Sequence, residues 1–399
     1  MKEKQNGTGS ILDIRCHLCT SPAIDVVPGY EQFRRVTSDC QSWPRGGQLG
    51  VCQSCGCIQK VTDQVWLNEI EKIYEAYSIY HQSEGVEQSV FESDSGRASS
   101  RSARLLERLQ AQIELPETGR LLDVGCGNGA LLRSFSRLAP RWLLAGTELN
   151  NKYQPVVESI EQVEKLYTCD PQQVPGFFHL ITMMHVLEHI AAPSHFLAKL
   201  WNKLEDDGLL VVEVPDHRQN PFDLLIADHC THFTVATIVE LIESAGYEVI
   251  SVATDWVPKE LTLVANKSQS EHHITGQHWR MPVSPSDSFD SAVRSLQWLE
   301  SVVTSARELS KMDDFGLFGT SIAATWLFSE LLDDSVSFFV DEDPHRAGKS
   351  YMGRPVYHPD DLPIDSHVYL ALPTRLAESV ERRLAKARVT YHLPPPLHL

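Results

Sequence analysis

The stretch LLDVGCGNGALL, Leu121 to Leu132, constrains the fold more than any other part of the chain. An apolar run with strand character carries Asp123 near its end. Glycines follow at alternate positions, Gly125, Gly127 and Gly129, and a helical pattern begins behind them. A strand that enters a helix through a glycine turn is the opening unit of a parallel sheet, and the missing Cβ atoms let a ligand lie against the backbone. The sequence around it keeps the same rhythm. RLLDVG, WLLAGTEL, EKLYTC, FFHLITMM and LLVVEVP read as strands. GALLRSFSRLA, NKYQPVVESI, PSHFLAKLWNKLEDDG, ending at Gly208, and TVATIVELIESAG, ending at Gly246, read as helices. Alternating βα units predict an α/β fold, an open and mostly parallel sheet with helices on both faces. YEVISVATD and ELTLVAN follow one another directly, so the domain closes with a hairpin that adds an antiparallel strand.

The glycine turn also restricts the ligand. Dinucleotide turns read GxGxxG, whereas this one reads GxGxG. Asp123 would repel a diphosphate but favour an ammonium group. Glu148 ends the second strand, where a carboxylate can accept both ribose hydroxyls. A nucleoside with a cationic amino-acid tail fits this pattern better than NAD does. That ligand is S-adenosylmethionine.

Composition narrows the field further. A net charge of −18 argues against a general nucleic-acid or anionic-membrane partner. The N-terminal residues lack the apolar core of a signal peptide, and no apolar run is long enough to span a bilayer, so a cytoplasmic location is expected. In that reducing setting the nine cysteines read as metal ligands and core residues. Cys16 and Cys19, then Cys52 and Cys55, form two CxxC pairs. Each pair puts two thiolates on one turn, the construction of a tetrahedral structural zinc site. His17, Cys40 and Cys57 are the spare ligands. Sulfur ligation alone leaves no open position, which assigns the metal to folding.

The segments divide as 1–68, a zinc-binding domain; 69–115, a helical linker or lid; 116–267, the donor-binding domain; 268–311, a linker and long helix; and 312–399, a smaller α/β domain. Tyr74, Tyr77 and Tyr80 recur along the lid, where a packing stripe and a cover over the next domain are both consistent readings. In the last unit Gly316 and Gly319 precede a helix that could receive a phosphate, and Asp341 ends a strand where it could take a ribose. A lone glycine pair is a weak signal, and a lost or substrate-side nucleotide fold is favoured over a working NAD site.

Two histidine clusters lie at strand ends. HVLEH, His185 to His189, matches the inverted zinc-protease pattern, but that motif must lie within a helix and this one follows a strand directly. His185 is placed beside the methyl donor, and His189 reads as a turn residue. DHCTHF contains Asp228, His229 and His232 in the loop after the fifth strand, before a helix capped near Thr231 or Thr234. Capping or packing is the competing role for each histidine.

LLDVGCGNG, TELN, Cys169–Asp170 and HVLEHI together resemble a class I methyltransferase, over roughly Leu115 to Lys267. The resemblance implies a donor site made of Asp123, Gly125, Cys126, Gly127, Gly129, Glu148, Leu149, Asp170 and Met184, with Asp170 near the adenine. Cysteine knuckles, methyltransferase core and C-terminal α/β unit, in this order, resemble the sugar C-methyltransferases, which act on nucleotide-linked 4-keto-deoxysugars. That resemblance implies a proton-transfer role for Asp228 and His229, which occupy the place of the family's Glu-His pair. On this reading His229 is the base, Asp228 orients it, His185 meets the oxyanion, and Tyr77 or Tyr80 closes the site. The chain departs from the family at Ile226, where a tyrosine is expected, and at GTSIAATW, where Lys or Asn residues follow the glycine turn. O-methylation of a sugar or another hydroxylated small molecule would use the same histidines. A non-catalytic assembly subunit is the alternative of another class.

Overall fold

A computed structural model describes residues 14–78, 85–87, 89–91, 98–267, 283–331, 333–385 and 389–397. At its centre are seven strands. In chain order they are Arg120–Val124, Leu143–Thr147, Val163–Tyr167, Phe178–Met184, Leu204–Pro215, Tyr247–Ala253 and Glu260–Lys267, here the first to seventh central strands. Their spatial order is third, second, first, fourth, fifth, seventh, sixth. The first five are parallel, and the seventh runs antiparallel to both the fifth and the sixth. The expected closing hairpin is present, with its second arm inserted into the sheet. Both sheet faces are covered: Leu122, Ile181 and Val212 enter one apolar cluster, while Leu121, Leu180 and Val211 enter another. This two-sided burial is why the strands read as unbroken apolar runs.

Two helices are shorter than the sequence pattern predicts. The one expected to reach Gly208 spans Pro193–Trp201, and the fifth strand already begins at Leu204, paired with Phe178. Both of those side chains are fully buried, so strand pairing gains more apolar burial than two further helical turns would. The stretch expected to be helical around Tyr153 is reduced to Gln154–Val157.

The N-terminal unit carries a four-stranded antiparallel sheet of Ile24–Val26, Leu49–Cys52, Ile58–Lys60 and Thr231–His232. Its last strand belongs to the loop of the central domain that holds His229. The helix Gln64–Ala76 follows, capped by Asp63. The helix Arg101–Gln112 is capped by Ser100, which places Arg101 in its first turn.

The C-terminal sheet orders its strands as Ser350–Tyr351, Arg354–Tyr357, Phe338–Val340, Phe315–Phe318, Ser366–Tyr369 and Val389–His392. The long helix Pro285–Leu309 sits against it. Leu299 and Val302 of that helix share one apolar cluster with Val36 and Leu49 of the N-terminal unit, Phe222 of the central domain and Trp326 of the C-terminal unit. A common core therefore fixes the three units around the His229 loop. Among the described residues no helix is long and apolar enough to cross a membrane.

Candidate active site

The parallel strands end at a cavity of about 760 Å³, within the ~300–1,000 Å³ common for small-molecule sites. All three units line it: Ser38 from the first, the glycine turn and His229 from the second, Thr320 and Arg346 from the third, with Tyr77 of the lid segment beside Ser38.

On the donor side, Gly125, Gly127 and Gly129 have φ of 67°, 55° and 80°, the left-handed region that favours glycine. A Cβ on Gly125 would lie 2.5 Å from Val186, and one on Gly129 would lie 2.6 Å from Ile160. The turn is therefore closed to larger residues by its backbone and by its neighbours. Glu148 accepts hydrogen bonds from Gly127 N at 2.7 Å and from its neighbour Leu149 N at 2.9 Å. These two donors orient the carboxylate, and each oxygen keeps a further lone pair. Leu149 is exposed beside it, and Met184 and Asp170 complete the wall. Asp170 is anchored by Gln172 N at 3.1 Å. Cys126 is turned inward, where its sulfur fills the space a Cβ on Gly146 would need, so it contributes packing.

Asp123 lies under the turn and accepts from Thr182 Oγ1 at 2.7 Å. Burial pushes its carboxyl up to about 7 against the opposing Thr182 bond. An ammonium placed beside it would favour the ionised form. Binding of the donor near pH 7 should therefore release part of a proton. Calorimetry in two buffers of different ionisation enthalpy measures that release, and Asp123→Asn should abolish it.

On the acceptor side the sequence reading needs one correction. His229 is oriented by Asp223 and not by its neighbour Asp228. The Asp223 carboxylate spans two histidines, with Oδ1 2.7 Å from His229 Nδ1 and Oδ2 2.6 Å from His232 Nδ1. Burial opposes its charge, yet the two histidines hold it well below the usual carboxylate range. Burial also works against a charged His229, but Asp223 outweighs it and makes this imidazole a stronger base than a free one. Asp228 turns away to accept from Ser38 N at 2.8 Å and Ser38 Oγ at 2.5 Å. Its backbone carbonyl meets His189 Nδ1 at 2.9 Å, and Tyr74 OH lies 3.1 Å from the same nitrogen. His189 stacks edge-on against His229 with ring centroids 4.6 Å apart, so it belongs to the cavity wall. Burial and the nearby His229 lower its basicity.

His185 holds a left-handed backbone at φ 55°, a strained conformation of the kind that collects at functional sites. Its ring lies between Glu188 at 3.2 Å, Glu213 at 3.6 Å and Glu260 at 3.7 Å, with the Arg101 guanidinium in contact as well. Burial and Arg101 oppose its charge, but the three carboxylates prevail and raise it to about 10. The carboxylates thus make His185 a stronger base than a free imidazole, while Arg101 Nη1 meets its Nε2. Tyr77 lines the cavity near Ser38 Oγ, at 3.4 Å. Tyr80 lies outside the described residues.

Sequence reasoning missed Asp223, Ser38, Arg101 and the glutamates around His185. Asp223 sits in NPFDLL, six residues before His229, with no periodic or motif signal to single it out.

The four cysteines converge as the knuckle pattern requires. Cys16 and Cys55 sulfurs are 3.5 Å apart, as are those of Cys19 and Cys52, and all four lie within 4.8 Å of one another. Tetrahedral ligation at about 2.3 Å sets sulfurs roughly 3.8 Å apart, so the quartet fits zinc. Two of the spare ligands are engaged elsewhere, His17 with Thr231 and Cys40 in the cavity wall; Cys57 is buried beside the quartet next to Cys16, its sulfur also toward the Ile58 carbonyl. In the C-terminal unit, Asp341 is nearly buried and accepts from Thr320 N at 3.0 Å and Thr320 Oγ1 at 2.7 Å. Its carboxylate is thus committed to the glycine turn and not presented for a ribose.

Residues 96–252 match a family model described as a methyltransferase domain. The chain is 30% identical over 114 residues to the mitochondrial ubiquinone biosynthesis O-methyltransferase of Saccharomyces cerevisiae, covering 26% of this chain and 36% of that protein. It is 28% identical over 166 residues to sphingolipid C9-methyltransferase 1 of Gibberella zeae, covering 36% and 32%. It is 23% identical over 191 residues to the C-methyltransferase NovU of Streptomyces niveus, covering 46% of each. The chain thus spans about a third to a half of the length of these relatives.

Proposed function

We propose, from the premise that this chain belongs to the class I S-adenosylmethionine-dependent methyltransferases through its central domain, that it methylates a carbon next to the ketone of a nucleotide-linked deoxysugar in the cytoplasm. The observation that carries this reading is the single cavity joining the glycine turn, the His229 wall and the C-terminal unit. The donor, the reacting carbon and the nucleotide that stays attached to the sugar would occupy it together. Ser321, at the start of the helix Ile322–Glu330, also lines it, and a helix N-terminus favours phosphate; the Arg346 guanidinium beside it is paired with Asp341 and Asp343.

S-adenosylmethionine, when bound, supplies an electrophilic methyl group on a sulfonium. Glu148 would hold its ribose, Asp123 its ammonium and Asp170 the adenine side. His229 has Nδ1 fixed by Asp223, so Nε2 takes the proton from the carbon next to the ketone. The C–H electron pair forms the enolate, whose oxygen His185 would face and stabilise electrostatically. The bound donor would give its methyl to the enolate carbon, the methyl–sulfur bond breaking so that a neutral thioether would remain. Tyr77 helps to close the cavity. Holding donor and nucleophile in one enclosed site supplies most of the acceleration.

Glu148→Ala should weaken donor binding about tenfold to a hundredfold, the worth of hydrogen bonds to a charged group. Calorimetry with S-adenosylhomocysteine checks it, and unchanged affinity removes Glu148 from the donor site. Incubation with labelled donor and a panel of nucleotide-linked keto-sugars, followed by NMR of the product, tests the function. A new C–CH3 signal supports carbon transfer. An O–CH3 signal would favour the oxygen chemistry named for the ubiquinone relatives, and donor binding without turnover on any acceptor would favour a non-catalytic role.

A further inference from the structure

The first cysteine knuckle and the catalytic loop touch directly. His17, between Cys16 and Cys19, is buried, and its Nδ1 lies 2.8 Å from Thr231 Oγ1. Its backbone N donates to Gln59 Oε1 at 2.9 Å. Gln59 is the residue paired with Thr231 in the small sheet, and Ile58 pairs with His232. Lys60 N donates to the Cys230 carbonyl at 2.9 Å. One strand edge therefore carries the second knuckle, which ends at Cys55 just before it, and holds residues 230–232 of the loop. His17 pins that loop from the first knuckle. Thr231 lies between His229 and His232, the two partners of Asp223.

We infer that His17 is a positioning residue that transmits the geometry of the four-sulfur centre through Thr231 to His229. The cysteine centre is then one wall of the acceptor site, and its structural role extends into catalysis. The inference rests on the reading of His229 as the base. The distances favour this role for His17 over that of a spare metal ligand. Both ring nitrogens face threonine hydroxyls, Thr231 at 2.8 Å and Thr62 at 3.3 Å, and neither is among the clustered sulfurs. A shift of about 1 Å in a catalytic group costs on the order of a hundredfold in rate, so a bond that fixes the loop has kinetic leverage without touching substrate.

The test compares His17→Ala, His17→Asn and Thr231→Val in the full chain. Zinc content, donor affinity by calorimetry, steady-state methyl transfer and hydrogen exchange of the amides of residues 229–233 are measured on each. His17→Ala should keep its zinc and its donor affinity. It should lose roughly tenfold to a hundredfold in kcat with little change in acceptor KM, and its 229–233 amides should exchange faster. His17→Asn, which retains a polar atom near the Nδ1 position, should recover much of the loss. Thr231→Val should reproduce the alanine variant from the other end of the bond. Unchanged kcat and unchanged exchange in both His17→Ala and Thr231→Val would overturn the inference. If the wild-type chain methylates none of the acceptors, the function reading fails while exchange and zinc content still decide the coupling. Loss of zinc from His17→Ala would identify His17 as a ligand and refute the positioning role.

Discussion

Asp223→Asn is expected to lower methyl transfer by about 10²- to 10⁴-fold, the usual contribution of a positioned acid or base, and to leave donor affinity unchanged. The carboxylate accepts from both histidines at once. An amide offers one oxygen and one NH2, so one of the two rings must reverse its tautomer or lose its partner. His229 would also lose the charge that makes it a stronger base, so the acidic limb of the kcat profile should move to lower pH. The substitution removes one member of a buried, paired set, which costs about 3–5 kcal/mol where measured in other proteins. Thermal unfolding and donor calorimetry on the same sample separate that loss from the kinetic one. A variant that binds donor, stays folded and keeps wild-type turnover would remove Asp223 and His229 from the chemistry. Asp228→Asn offers a contrast, since its bonds run to Ser38 and not to the base.

The second large effect is expected from Cys52→Ser. Structural zinc contributes roughly 10–16 kcal/mol to small metal domains, comparable with the entire stability of a typical domain at ~5–15 kcal/mol. The wild-type chain should contain about one zinc, and the serine variant should lose it. The small sheet that includes Thr231–His232 should then open, and acceptor turnover should vanish. The glycine turn and Glu148 rest on the first and second central strands, in an apolar cluster that contains none of the four cysteines. Donor binding should therefore survive, and metal analysis with calorimetry reads both halves of this expectation. A Cys52→Ser protein that keeps its zinc would refute the quartet.

The central sheet was legible because strands buried on both faces read as apolar runs, and because the glycine turn needs a backbone that few residues adopt. The position of Glu148, the acid at the end of the second strand, was legible too, and the structure sets it against the glycine turn through Gly127 N. What escaped the sequence was long-range pairing. LEDDG looks like the polar end of a helix until Leu204 is seen beside Phe178. Nothing in the text of the chain links Ser38 with Asp228, 190 residues apart, or Ile58 with His232. The resemblance to a Glu-His pair implies that Asp228 orients His229. A bend in the loop instead faces them in different directions and brings Asp223 in from the preceding turn. HVLEHI predicts a turn at His189, and the structure has one over Leu187–His189, but the sequence does not show that its ring meets His229.

The most direct measurement is a crystal structure of the chain with S-adenosylhomocysteine and a nucleotide-linked keto-sugar. The ribose hydroxyls should lie on Glu148, the amino group near Asp123, and the sulfur should face a sugar carbon within reach of His229 Nε2. A donor bound elsewhere, a pyrophosphate lying across the glycine turn, or a sugar carbon out of reach of His229 would contradict it.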